Sequence, residues 1–122
     1  MKKSGLGPLE IKILSALSEL KEGTVKQVYS ELQKSEENLA ITTVATVLDR
    51  LFKKRIVERT LINDGKPSYV YRISSNIFKN ENAMSLVIDF LKAFKEPLKF
   101  YFAENSNLTP EELESIFKAL EE

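Results

Sequence analysis

The stretch AITTVATVLDR, residues 40–50, places three threonines among valines and leucines in a segment with helical periodicity. Threonine is a mediocre helix former because its branched Cβ crowds the preceding turn. Apolar residues recur at three- and four-residue spacing on one side of a helix that we expect to start near Thr42. They are Val44, Val47, Leu48 and Leu51. The opposite side is predicted to carry Thr43, Thr46, Arg50 and Lys53.

Small polar residues followed by cations are typical of a recognition helix. A helix that enters the major groove of DNA needs short side chains at its tip and longer cations further along. Threonine can bond to a base or a phosphate, and arginine can bind O6 and N7 of guanine; Thr42 or Thr43 can also cap the helix and leave N–H groups facing a phosphate. The alternative is a capped helix with an ordinary solvated surface. The candidate DNA-binding residues are Thr42, Thr43, Thr46, Arg50, Lys53, Lys54, Arg55, Lys66 and Arg72.

Two helices and a short extended segment are predicted before this helix. Pro8 suits the first turn of a helix, where its missing N–H is no loss, and Gly23 is expected to end that helix. Thr24 and Gln27 are spaced as a capping box for the second helix. The apolar residues 39–41 are predicted to form a minimal strand.

A β-hairpin is predicted after it. Residues 57–61 and 69–73 have the β-branched, alternating character of strands. Between them, Asp64-Gly65 is a strong hairpin turn signal. The order helix, helix, short strand, helix, hairpin is that of a winged helix-turn-helix, so the predicted fold is mainly α with a small β-hairpin.

The rest of the chain is predicted to be helical. Thr109, Pro110 and Glu112 mark the last helix as its N-cap, first residue and capping-box partner. We divide the chain into a winged-helix DNA-binding domain, residues 1–74, and a helical dimerisation domain, residues 75–122. Apolar and aromatic residues of the second part are predicted to form a dimer core. These are Met84, Val87, Ile88, Leu91, Phe94, Phe100, Tyr101, Phe102, Leu113, Ile116, Phe117 and Leu120.

Composition argues against catalysis and membrane insertion. The chain has no Cys and no His, which removes thiolate chemistry, the commonest general base and the commonest transition-metal ligands. We therefore expect no enzyme activity, no metal and no cofactor. No apolar run approaches the roughly 18 residues that a membrane span requires, so we expect a cytoplasmic protein. The net charge is zero, but residues 1–74 hold 13 Lys and Arg against 9 Asp and Glu, which favours a polyanionic partner for that part.

Four segments resemble the penicillinase repressor family of bacterial transcription factors. They are LGPLEIKIL, LAITTVATVLDRLFKKRIVER, DGKPSYVYRIS and YFAENSNLTPEELESIFKAL. The resemblance implies a homodimeric winged-helix repressor that binds a palindromic operator in double-stranded DNA and dimerises through its C-terminal helices. It also implies base and backbone contacts by Thr42, Thr43, Thr46 and Arg50, with Lys53 and Lys54 beside them.

The chain departs from the family pattern at three places. The family usually has Gly where this chain has Arg55, and a non-Gly residue in a left-handed conformation costs about 1 kcal/mol. Members inactivated by proteolysis carry Asn-Phe where this chain has Tyr101-Phe102. Copper-responsive members use a C-terminal Cys motif, which this chain lacks.

Two other functional hypotheses are open at the level of sequence. The basic part could meet an acidic protein partner, which would make the chain a winged-helix interaction module without specific DNA binding. The C-terminal aromatic residues could instead line a small-ligand pocket.

Overall fold

The computed structural model describes residues 6–35, 38–63 and 65–121 of the 122-residue chain. These residues form six α-helices, one 3-10 helix and one two-stranded antiparallel sheet, which confirms the predicted fold class. The elements are α1 (Pro8–Leu20), α2 (Val25–Gln33), α3 (Ile41–Lys53), β1 (Val57–Asn63), β2 (Pro67–Ile73), the 3-10 helix (Ser75–Lys79), α4 (Glu81–Ala93), α5 (Lys95–Asn105) and α6 (Pro110–Leu120). Across the described ranges, no helix is both long and apolar enough to cross a bilayer.

The chain divides into two compact units. One is Gly7–Ser74, and the other contains Ser75–Glu122. The first unit holds α1 to α3 and the hairpin, and the second holds α4 to α6.

The core of the first unit lies between its three helices. The apolar side of α3 packs against α1 and α2. All four residues of the predicted stripe are at most 4% exposed, and α1 and α2 contribute fully buried residues such as Leu14 and Val28. Because burying a Val or Leu side chain stabilises a fold by about 1.5–3 kcal/mol, this stripe fixes which side of α3 faces solvent.

Local signals at the start of the first two helices are confirmed. Pro8 is the first residue of α1. At α2, Thr24 Oγ1 accepts a hydrogen bond from the Gln27 N–H at 3.2 Å, and Gln27 Oε1 accepts one from the Thr24 N–H at 2.9 Å. This is the predicted capping box.

The end of α1 differs from the prediction. The helix ends at Leu20, and the residue with positive φ is Lys21, at 77°. Gly23 is buried and exchanges two backbone hydrogen bonds with Tyr71, at 2.9 and 2.8 Å. A Cβ on Gly23 would lie 3.3 Å from Leu20 Cδ1 and 3.4 Å from Gln27 Cβ, so glycine lets the chain pass close to the side chains of α1 and α2 here instead of ending the helix.

The predicted strand at residues 39–41 is wrong. Ile41 is already the first residue of α3, and Gly23 is the residue that bridges to the hairpin in the described part of the chain. The predicted capping role of Thr42 or Thr43 is also wrong, because Ala40 is the N-cap and makes no side-chain bond. The helix begins too early for either threonine to occupy the capping position.

The hairpin pairs β1 with β2 in a register that joins Val57 to Ile73 and Leu61 to Tyr69. Each strand extends two residues further towards the turn than the sequence predicts. Gly65 has a φ of 85°, a conformation that glycine adopts without strain. The predicted turn residue Asp64 lies outside the described residues.

The second unit has an aromatic core. The ring of Phe102 contacts those of Phe78 and Tyr101, with centroids 5.0 and 5.1 Å apart. The predicted cap of α6 is confirmed, because Thr109 Oγ1 accepts from the Glu112 N–H at 3.1 Å and the Glu112 carboxylate accepts from the Thr109 N–H at 2.8 Å. Helices α4 and α5 are separated at Phe94.

We expect Thr24→Ala to lower the free energy of unfolding by about 1 kcal/mol, because it removes the hydrogen bond that caps α2. Thr42→Ala is the matched control and should change it by less than about 0.5 kcal/mol, since the Thr42 side chain caps no helix. Urea unfolding followed by circular dichroism measures both. A decrease at Thr42 as large as that at Thr24 would contradict the observed start of α3.

Candidate nucleic-acid interface

The exposed side of α3 forms a continuous polar row. Thr42, Thr46, Arg50 and Lys53 are exposed, whereas Thr43 is half-buried. At about 100° per residue, Thr43 lies roughly a quarter-turn from the centre of the buried stripe, while Thr42 lies nearly opposite it. We call the four exposed residues the α3 row. The row starts at Thr42; Thr43 lies half-buried at its edge, and its contact with DNA stays a prediction.

Hydrogen bonds order part of this row. Thr46 Oγ1 donates to the Thr42 carbonyl oxygen at 2.9 Å. Lys53 Nζ lies 3.2 Å from Asp49 Oδ2, but the Lys53 side chain is still 74% exposed. Arg50 makes no ion pair with any described residue. The row therefore presents to solvent one guanidinium without an ion pair to any described residue, whose charge also lowers the pKa of Glu10, and one weakly held ammonium.

Lys54 is committed to an interaction inside the unit. Its Nζ lies 2.7 Å from Oε2 of the buried Glu10 at the start of α1. Burial by itself raises the pKa of Glu10, but hydrogen bonds from Lys54 and from the Gly7 N–H outweigh it and hold the pKa below its usual range. Lys54 thus ties the end of α3 to α1 and is less available to a phosphate than Lys53.

Arg55 stands at the turn that ends α3. Its φ is 66°, in the left-handed region. The Arg55 N–H bonds to the Phe52 carbonyl and the Ile56 N–H to the Leu51 carbonyl, both at 3.0 Å. This is a Schellman motif, in which glycine is the usual residue at the left-handed position. The Arg55 side chain is exposed beside the last turn of α3.

The two predicted cations of the hairpin are in different environments. Lys66 is exposed at the hairpin tip. Arg72 is half-buried, with Nη2 at 3.0 Å from Glu22 Oε1 and Nη1 at 3.5 Å from Glu58 Oε2. Arg72 therefore stabilises the outer face of the hairpin, and its charge is already balanced within the unit.

A cleft of about 660 Å³ brings the start of α3 together with the hairpin. Thr42 and Lys66 both line it, and both belong to the predicted site. Lys26 and Tyr69 line it as well and lie outside the predicted site. Lys26 follows the capping Thr24 by two residues, which places it in the first turn of α2. This spacing is the sequence signal from which Lys26 could have been predicted as part of the site. The cleft is the concave part of the candidate interface.

Arg59 lies half-buried where β1 meets α3. Its guanidinium carbon lies 3.8 Å from the ring centroid of Phe52 and 4.1 Å from that of Tyr69. Its Nη1 lies 3.2 Å from Asp49 Oδ1. Arg59 is not among the predicted DNA-binding residues, and nothing in the linear sequence indicates which rings surround it.

The twelve residues predicted for dimerisation fall into three groups by exposure. Six are buried within the chain: Val87, Leu91, Tyr101, Phe102, Leu113 and Phe117. Five are half-buried: Met84, Ile88, Phe94, Ile116 and Leu120. Phe100 is 71% exposed, which is more than any other large apolar residue described. The Tyr101-Phe102 pair lies inside α5 with both side chains buried.

A family model described as penicillinase repressor matches residues 6–122. No curated protein matches the chain by sequence. Among the described residues, no group of three or more His, Cys, Asp or Glu side chains is placed to hold a metal ion.

Solved structures show the same fold. BpsR of Bordetella bronchiseptica, whose DNA binding is regulated by 6-hydroxynicotinic acid, is 15% identical with a TM-score of 0.54, over 99% of this chain and 81% of that chain. A cysteine-to-serine mutant of MarR from E. coli is 19% identical with a TM-score of 0.51, over 95% of this chain and 76% of that chain. Wild-type MarR in its apo form is 17% identical with a TM-score of 0.50, over 93% and 74%.

Arg55→Gly should raise the free energy of unfolding by about 1 kcal/mol, because glycine relieves the left-handed conformation. Lys53→Gly, two residues earlier in the regular helix, is the control and should lower it by about 1 kcal/mol. Thermal and urea unfolding of both variants measures the two signs. A less stable Arg55→Gly variant would show that the Arg55 side chain stabilises the fold and does not merely tolerate the turn.

Proposed function

The chain belongs to the penicillinase repressor family and is a DNA-binding transcription regulator, not an enzyme; from this premise we propose that two copies of it form a repressor that binds a palindromic operator. Each copy inserts α3 into the major groove of one half-site. In a symmetric dimer the half-sites lie about one helical turn apart, roughly 34–36 Å, or a multiple of that distance. Occupancy of the operator then blocks transcription from the overlapping promoter.

The observation that carries this proposal is the α3 row. The same packing that buries the apolar stripe leaves two threonines, an arginine and a lysine on the solvent side. Short side chains at the tip allow close approach to base edges, and the cations follow where the helix leaves the groove. Thr42 and Thr46 then contact bases or the adjacent backbone.

Arg50 and Lys53 have different roles in this proposal. Arg50 has no ion-pair partner among the described residues and is free to bind a guanine through two hydrogen bonds. Lys53 is a flexible point charge near the end of the helix and binds a phosphate. Arg55 and Lys66 add phosphate contacts on either side. Lys54, which is paired inside the unit, contributes less.

The dimer interface is proposed to use apolar residues that the single chain leaves accessible. Phe100 on α5 is the clearest, because its side chain is 71% exposed in the single chain and burying a phenylalanine stabilises an interface by about 1.5–3 kcal/mol. It borders a groove of about 280 Å³ that also contains Ala103, Pro110 and Leu113. A projecting ring beside an apolar groove suits an isologous contact, in which each copy supplies both.

Operator recognition is tested by recovering bound DNA from a random or genomic pool. We expect a palindromic sequence bound with a steep dependence on salt, because phosphate contacts release counterions. Binding without salt dependence, or no binding to duplex DNA, would instead favour a protein-interaction module. On the recovered operator, Arg50→Ala should relax base preference at one position per half-site by about 5- to 150-fold, the equivalent of about 1–3 kcal/mol.

Lys53→Ala is the matched comparison, because it removes a neighbouring cation from the same row. It should weaken binding to all sequences alike and reduce the salt slope by about one for each phosphate that is no longer neutralised. Fluorescence anisotropy across a salt series measures the slope. An unchanged slope would remove Lys53 from the phosphate contacts.

The interface is tested with Phe100→Asp, which should give a monomer and weaken operator binding. Leu61→Asp places the same charge at an exposed apolar residue of the other unit, 56% exposed, and should leave the dimer intact. Sedimentation equilibrium gives the mass of both variants, and circular dichroism checks their folding. A Phe100→Asp variant that remains dimeric would contradict the proposed interface.

A further inference from the structure

Arg59 contacts two residues of α3 and two residues of the neighbouring hairpin strand. It lies on β1, and its register partner is Tyr71 on β2. Its guanidinium meets Phe52 on α3 and Tyr69 on β2, with 3.8 and 4.1 Å between the guanidinium carbon and the ring centroids. Its Nη1 also lies 3.2 Å from Asp49 Oδ1 on α3 and donates to the Tyr71 hydroxyl on β2 at 3.5 Å. We call Phe52, Arg59 and Tyr69 the Arg59 stack.

The geometry of this stack argues against direct contact with DNA. The Arg59 side chain is 20% exposed, compared with 74% for Lys53. A guanidinium that binds a phosphate or a guanine uses its N–H edge, and Arg59 already directs Nη1 to the Asp49 carboxylate. Freeing it would break an ion pair and two favourable cation–ring contacts at once. Arg59 is thus engaged in internal contacts that join two elements.

Both joined elements carry residues of the proposed interface. Asp49 and Phe52 directly precede Arg50 and Lys53 on α3. Tyr69 lines the same cleft as Thr42 and Lys66. The angle between hairpin and helix decides whether Lys66 and the α3 row reach one duplex together.

We propose that Arg59 is a positioning residue that sets the hairpin against α3, so that Lys66 binds a phosphate while the α3 row lies in the major groove. This inference rests on the proposed DNA-binding function and adds to it the residue through which the hairpin takes part. Arg59 itself touches no DNA.

Arg59 has a second proposed role, which is to balance the charge of Asp49. Its carboxylate adjoins the α3 row, where a bare negative charge would repel phosphate. Hydrogen bonds from Lys53 and then from Arg59 hold the pKa of Asp49 below its usual range. When Lys53 turns to a phosphate, Arg59 still balances Asp49 and keeps the carboxylate directed away from the groove.

Arginine is required for this role and lysine is not equivalent. A planar guanidinium can stack on aromatic rings and donate in its own plane at the same time, whereas an ammonium is a strongly hydrated point charge. Arg59→Lys therefore keeps the charge and an ion pair with Asp49 but removes the planar stacking. Because no charge is removed, any change in the salt slope of DNA binding must come from a contact made elsewhere.

The experiment is a double-mutant cycle on the full chain with the recovered operator, using Arg59→Lys, Lys66→Ala and the double variant. Lys66→Ala should reduce the salt slope by about one for each phosphate that the hairpin no longer neutralises. Arg59→Lys should reduce it by a similar amount although the charge is kept. In the Arg59→Lys background, Lys66→Ala should have little further effect, so the two decreases in affinity are non-additive by at least about threefold.

Arg72→Lys is the matched control, because Arg72, a DNA-binding candidate by sequence, is ion-paired within the unit and is not used in the proposed interface. Arg72 lies on the outer face of the same hairpin and is also ion-paired, to Glu22 and Glu58, but none of the described rings stacks on it. Arg72→Lys keeps the charge and should leave the salt slope unchanged. Its effect on the free energy of operator binding should add to that of Lys66→Ala.

Three results would overturn the inference. One is additivity: the loss of binding free energy in the double variant equals the sum of the losses in Arg59→Lys and in Lys66→Ala. Another is an unchanged salt slope in Arg59→Lys, even if that variant unfolds at a lower temperature, because a purely stabilising residue would behave in this way. The last is a Lys66→Ala variant that binds as the wild type does while Arg50→Ala is weakened; the proposed function would then stand without the hairpin contact.

Failure of the wild-type chain to bind duplex DNA would overturn both the proposed function and this inference. All affinities are measured well below the unfolding temperature of each variant. If Arg59→Lys does not fold, Tyr69→Leu replaces it, because this change removes one ring of the stack and keeps Arg59 in place. The same reduction in slope and the same non-additivity are expected.

Discussion

The burial of one side of α3 is the constraint on which the first unit depends. Val44 and Leu51 at the two ends of its stripe are completely buried, so the rotation of the helix about its axis is fixed along its length. A rotation by one residue, about 100°, would move valine and leucine towards water and carry Arg50 or Thr43 further inward without partners. The cost of unpaired buried polar groups, on the order of several kcal/mol for a charge, excludes that arrangement. The position of the α3 row follows from apolar packing alone.

The turn after α3 transmits this constraint to the hairpin. Leu51 and Ile56 are both fully buried, and the Schellman hydrogen bond joins their backbones across the end of the helix. The Ile56 carbonyl also accepts a bond from the Ser74 N–H just after β2, at 3.0 Å. The left-handed Arg55 is the residue that allows the chain to reverse at this point, so the strain of a non-Gly residue there is compensated by the burial of its neighbours. The hairpin is thereby anchored at its open end, and its tip depends on side chains for its position.

The sequence predicts features that depend on residues a few positions apart. It does not predict features that depend on a contact with a residue far along the chain. The capping boxes of α2 and α6 and the exposed side of α3 follow from residues a few positions apart. Gly23 resembles a helix end, but its backbone pairs with Tyr71 far along the chain. Lys54 likewise meets Glu10 across 44 positions. A count of basic residues treats every cation as an equal donor to DNA, whereas the fold already engages some of them; Arg59 is the clearest example, because its two rings come from different elements.

The cations differ in the free energy that is needed to break their internal ion pairs and turn them towards DNA. An exposed pair such as Lys53 with Asp49 contributes little, since water screens both charges, so a phosphate can replace the carboxylate easily. Lys54 cannot be redirected in the same way, because its departure would leave the buried carboxylate of Glu10 without its cation. The free-energy cost of breaking the internal ion pair is therefore higher for Lys54 than for Lys53. The cost is highest for Arg59, which contacts two rings and a carboxylate. A cation held in this way can contribute to DNA recognition only by fixing the positions of the other cations.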